Sequence, residues 1–155
     1  MSKVTCDTKL LDRLLRDVSK GDRSARVGFF EDSGEHPRSG ATAYEVAAIN
    51  NFGAPEVNIP ERPFVTDGAM EGEMKTELKL KDAIRRVHQG KTTYTKTLRE
   101  AAEIQEEFIL AQLILAPFSG VYPDNAEATQ ERKGGRNTPL FETGWLQKQI
   151  DIKYD

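Results

Sequence analysis

Two histidines, one cysteine and a scatter of acids and bases are the groups in this 155-residue chain that could do chemistry. His36 lies in a polar stretch and His88 near the end of a helical pattern. Neither has a second histidine at helical spacing, so the ligand clusters of metal sites are missing and no metal is expected. Cys6 has no local partner to lower its pKa and reads as incidental rather than catalytic. There is no Gly-x-Ser-x-Gly, no phosphate-binding loop and no glycine-rich dinucleotide turn, so no cofactor is expected. One enzyme-like fragment remains. Glu77 and Lys79 have the carboxylate-x-lysine spacing of metal-dependent nuclease sites, and Asp124 could supply a second acid, although the order along the chain is reversed. Such a site needs converging carboxylates; the plainer reading is an acid–lysine pair on a solvated helix.

Two further clusters carry shape rather than reactivity. In Ile59-Pro60-Glu61-Arg62-Pro63-Phe64, two prolines three apart impose an extended strap. Phe64 can anchor it in an apolar pocket, and Arg62 can pair with a carboxylate. The strap is either pinned to its own core or used at a subunit contact, where a stiff segment loses less entropy on docking. Arg132, Lys133 and Arg136, around Gly134-Gly135, form a basic loop in an otherwise acidic chain. It reads as a solvated loop, or as an arm toward a neighbouring subunit or a DNA backbone.

The elements that position these residues follow from periodicity. Leu10, Leu11, Leu14, Leu15 and Val18 predict an amphipathic helix, capped by Asp7 or Thr8, that packs on its own domain. Ala25, Val27 and Phe29 alternate with polar or small residues, which predicts a strand over 25–30. Residues 31–40 are a polar loop. Residues 44–51 predict a short helix with Tyr44, Ala47, Ala48 and Ile49 on its apolar side, ended at Gly53. Pro55, Pro60 and Pro63 keep 54–64 extended. A helix runs from Phe64 or Val65 to His88, weakened early by Gly68 and Gly72.

The longest predicted helix is central, over about 93–116 and roughly 35 Å long. Its second half, FILAQLILA, is apolar nearly all round and must be covered on several sides, by the chain itself or by a neighbouring subunit. Phe108 and Leu115 are candidate contacts there. Pro117 is expected to stop it. Extended loops then occupy 117–139, with two turns of helix capped by Asn125 and a helix start at Thr138-Pro139. Trp145 and Leu146 pack in a short turn, and Ile150, Ile152 and Tyr154 alternate as a strand over 149–154. The two terminal strands pair as a small antiparallel sheet against several helices, giving a single α+β domain.

The chain is 37% apolar and 30% charged, with a net charge of -3. That balance argues against a protein built to grip nucleic acid. It suits a wall that DNA slides past. The lone cysteine excludes an intrachain disulfide, and the apolar run 108–116 is too short to cross a bilayer.

NNFG with IPERPFV, then PDNAEATQERKG and NTPLFETGWLQKQI, resemble the phage virion-morphogenesis family, the tail completion or head–tail joining proteins of tailed, Mu-like bacteriophages. Asn125, Ala126, Thr129, Lys133-Gly134, Thr138-Pro139-Leu140, Thr143-Gly144 and Leu146 match that family's usual ending. Glu127 departs from it where a proline is usual, Glu142 where an aspartate is, and Trp145 where a polar residue is common. The resemblance implies an α+β structural subunit rather than an enzyme. It would be made in the host cytoplasm and placed in the virion, at the head–tail interface or proximal tail. It further implies a homo-oligomeric, hexameric ring that meets other neck and tail proteins, with DNA passing through unread. Ile59, Pro60, Arg62, Pro63, Phe64, Phe108, Leu115 and Trp145 are then candidate subunit or partner contacts, and Arg132, Lys133 and Arg136 a candidate channel loop. The metal-dependent nuclease, and an assembly factor absent from the finished particle, are the alternatives.

Overall fold

A computed structural model of the chain describes residues 8–155. The readings placed on Cys6 and on an Asp7 cap lie outside them. The described elements run α1 (Lys9–Lys20), β1 (Ala25–Gly28), α2 (Ala43–Phe52), α3 (Phe64–His88), α4 (Tyr94–Ser119), α5 (Glu127–Arg132) and β2 (Asp151–Tyr154), with 3-10 turns at Pro55–Val57 and Leu146–Lys148. The fold is α+β and mostly helical, as the periodicity predicts.

The sheet has two antiparallel strands in the register Ala25 to Tyr154 and Val27 to Ile152. Arg26 forms an ion pair with Asp155 at its open end. α4 lies against both strands and carries the centre of the core. Ile109 and Leu113 meet Ala43, Ala47, Phe64, Tyr122 and Leu146 there, with Val27, Phe29 and Ile150 packed against them from the strands and their flanks.

α3 and α4 pack along their length because Gly68 and Gly72 leave no side chain between them. A Cβ on Gly68 would sit 2.6 Å from the Ile109 Cα, and one on Gly72 3.2 Å from the Phe108 ring. The two glycines, expected only to weaken the helix, are the groove into which α4 settles. Phe108 is half-buried at this seam, with the Lys75 Nζ 5.2 Å from its ring centre.

Several local expectations are corrected. α4 does not stop at Pro117 but runs through it to Ser119. Proline has no N–H for the Leu113 carbonyl four residues back, and Gln147 Nε2 donates to that oxygen instead, at 3.3 Å. Ala126, not Asn125, occupies the cap position of α5, and no side chain caps it. Thr138-Pro139 opens a turn rather than a helix: the Phe141 carbonyl accepts from Thr138 Oγ1, and the Phe141 N–H donates to the Thr138 carbonyl. On α2 the buried face is Ala43, Ala47 and Asn51, while Tyr44 and Ile49 face solvent. On α1, where Thr8 makes no side-chain cap, Leu11, Leu15 and Val18 are exposed rather than packed on the domain.

Candidate interaction site

The site begins with the clasp formed by Asn50-Asn51-Phe52-Gly53. Asn50 Nδ2 donates to the Val46 carbonyl within α2, and its backbone carbonyl accepts the Arg62 N–H at 2.8 Å. Asn51, buried, accepts the Val65 N–H on Oδ1 at 3.0 Å and so serves the open first turn of α3. Gly53 has φ 72°, and a Cβ there would lie 2.8 Å from the Glu61 nitrogen, so both its backbone and its neighbour require glycine. The strap is thereby tied to the end of α2. A tight loop over Pro55–Val57 is closed by paired bonds between Ala54 and Ile59.

Arg62 and Phe64 settle the question of where the strap is anchored. Phe64 is 0% exposed and meets Phe29 edge to face, and Arg62 is 3% exposed. Among the described residues Arg62 forms no ion pair with a carboxylate, contrary to the sequence expectation. Its Nε donates to the Pro123 carbonyl at 3.0 Å, and its terminal nitrogens donate to the Asp124 carbonyl at 2.9 Å and Asn50 Oδ1 at 3.4 Å. Burial pulls its pKa down and the Asp124 charge opposes that. As subunit contacts, Arg62 and Phe64 are therefore corrected to internal anchors.

The loop 133–141 is also closed on itself rather than free. Lys133 Nζ donates to the Thr138 and Phe141 carbonyls, each at 2.9 Å. Gly134 and Gly135 take positive φ so that the chain can reverse after α5, with the Gly135 N–H reaching the Gln130 carbonyl. Burial holds the Lys133 ammonium below the usual lysine range. Glu142 opposes that shift, and the charges of Arg62, Arg132 and Arg136 add to it.

Strap, α5 and the 140–147 segment enclose a cleft of about 490 Å³. Ile59, Pro60, Arg62, Arg132, Lys133 and Trp145, singled out in the sequence from separate segments, all line it. A second cavity of about 440 Å³ shares Arg38, Arg132, Lys133, Phe141 and Glu142 with it and adds Arg136 and Phe118. The two form one depression. Its lining holds five cations, Arg38, Arg62, Arg132, Lys133 and Arg136, and one carboxylate, Glu142, which pairs with Arg38 at 2.9 Å. His36 packs edge-on to Trp145, with ring centres 4.9 Å apart. Pro63, Phe108 and Leu115 do not line it, and Leu115 faces solvent.

The nuclease residues are not brought together. Glu77 pairs with Lys81 along α3, and Lys79 pairs with Glu100 across to α4. Asp124 sits beside Arg62 near the start of that helix, about 20 Å away by the helical rise.

Asn50, Asn51 and Gln147 were missed by the sequence reading as functional parts of this framework. Asn50 and Asn51 stand in NNFG and Gln147 in NTPLFETGWLQKQI, but nothing local to those blocks marks the groups they bond. No protein-family model, curated protein or solved structure matches the chain.

Proposed function

We propose that this protein is a structural subunit of a phage virion that completes the tail or joins it to the head, as one member of a hexameric ring around the DNA channel. The observation that carries the reading is apolar surface left in water. Leu11, Leu15 and Val18 on α1, Met70, Met74 and Leu78 on α3, and Ile114, Leu115 and Phe118 on α4 are all exposed. Stripes at helical spacing on three helices mark a surface made to be covered. The NNFG, IPERPFV and NTPLFETG resemblance supplies the class of partner, and the acidic body suits a conduit for DNA. Ring subunits meet through two different patches, so several unlike exposed faces on one chain fit that symmetry.

The test is electron microscopy of particles from cells in which the gene is silenced during phage production. Filled heads beside unattached tails, or tails of abnormal length, are expected. Complete, infectious particles would remove the joining or completing role. Mass spectrometry of purified virions finds the protein in the particle under this reading; an assembly factor would be missing.

A further inference from the structure

α3 presents a face that its own fold does not use. Met70, Met74 and Leu78 recur every four residues and stack into one ridge, 68%, 71% and 61% exposed. At about 100° per residue, Glu73 and Glu77 fall on one side of that ridge and Glu71 on the other, all exposed. The opposite face of α3 is closed against α4 through Gly68 and Gly72. Glu77 is paired with Lys81, and the exposed Lys75 on the Glu71 side reaches Glu107 of α4, so Glu71 and Glu73 are the carboxylates this ridge offers, with flexible, polarisable methionines along its crest.

The depression between strap, α5 and 140–147 has the reverse character. Ile59, Pro60, Leu140 and Trp145 give it an apolar floor. Of its cations Arg132 and Arg136 are exposed, while Arg62 is buried on carbonyls, Lys133 is bonded to the Thr138 and Phe141 carbonyls and Arg38 pairs with Glu142. In its wall the buried Nδ2 of Asn125 has no acceptor among the described residues. A chain of net charge -3 thus concentrates positive charge at one place and places an exposed acidic, apolar ridge elsewhere.

We propose that the α3 ridge of one copy docks in the basic depression of the next, head to tail. This names the contact within the ring reading above and rests on it. Carboxylates of the ridge meet the cationic rim while Met70 and Met74 cover the apolar floor. A DNA backbone would satisfy the cations but leave that floor bare. Because ridge and depression are different patches of one surface, a docked pair still has one free depression and one free ridge, so copies can add until the ring closes and both are used.

The test uses two charge-reversal variants of the full chain. One carries Arg132→Glu and Arg136→Glu, the other Glu71→Lys and Glu73→Lys. All four side chains are exposed, so circular dichroism and thermal unfolding should match the unsubstituted protein. In sedimentation velocity over rising concentration, the unsubstituted chain associates. Each variant alone associates about 100-fold more weakly, since like charges then face each other. An equimolar mixture of the two associates again, because acidic depression meets basic ridge and basic depression meets acidic ridge. An unsubstituted chain that stays monomeric at every concentration overturns the proposal, as does a mixture that fails to recover. Variants that associate normally overturn this contact and leave the ring reading to the particle experiment. If the arginine variant instead loses only affinity for a single-stranded oligonucleotide or an unrelated poly-glutamate peptide, the depression serves another acidic partner and the proposal falls.

Discussion

A guanidinium shut away from water loses hydration that neutral carbonyls return only in part. Arg62 stays inside because the Pro123 and Asp124 carbonyls and Asn50 Oδ1 are all aimed at it. Arg62→Ala removes the donor from three acceptors at once and is expected to destabilise the fold by about 3 kcal/mol, read as a lower denaturant midpoint. Arg62→Lys should fall between, because one ammonium cannot span the same fork. A loss for Arg62→Ala within about 0.5 kcal/mol would show that the clasp is dispensable. Gln147 acts on the same scale. Gln147→Ala leaves the Leu113 carbonyl without its donor and costs about 1 kcal/mol. In the Pro117→Ala background the helix regains its own N–H for that carbonyl, so the loss should shrink there. A double-mutant cycle in guanidinium checks the coupling, and strict additivity would break the link drawn between the two residues.

At the scale of elements, α3 and α4 approach closely because of two missing side chains. Gly68→Ala pushes a methyl onto the α4 backbone at Ile109, which cannot move as a flexible side chain could. The expected loss is about 3 kcal/mol by thermal or chemical unfolding, despite alanine's better helix propensity. A stabilised Gly68→Ala would mean the helices are farther apart. What the sequence discloses at this scale follows from what is local. The period of Leu, Ala and Ile residues predicts α2, α3 and α4 within a few positions, and alternation predicts the strands that pair. The stiffness of the strap is legible from its prolines, but its destination is not. Arg62 ends on carbonyls some sixty residues downstream, a distance no local pattern encodes. The continuation of α4 past Pro117 escapes for the same reason, since its compensation comes from Gln147. The α1 stripe is legible as apolar, yet periodicity cannot say whether the chain or a neighbour covers it.

At the scale of the whole molecule, net charge conceals the arrangement that matters. A mean of -3 reads as uniformly acidic, whereas folding gathers Arg38 with the cations of the strap and the 132–136 loop, far apart in sequence, into one depression. Ile59, Pro60, Arg132, Lys133 and Trp145 stand out in the sequence for their prolines, charge or ring, whereas Arg38, Leu140 and Phe141 do not, and nothing local says that these segments meet. Closing the chain has a kinetic consequence. Val27 and Ile152 pair across nearly the entire chain, and the entropy of closing so long a loop must be met before the pairing gives anything back. α3 and α4 are joined by a short turn at Gly90 and can associate early. The hairpin should accordingly belong to the folding nucleus and the sheet should register last. In stopped-flow experiments Gly68→Ala should slow refolding, while Val27→Ala should leave refolding nearly unchanged and speed unfolding. The reverse pattern would place the strands in the nucleus. With the order argued here, the chain reaches a state in which its helical half is formed and its strand edges are still open, and the lifetime of that state sets its exposure to mispairing with other copies.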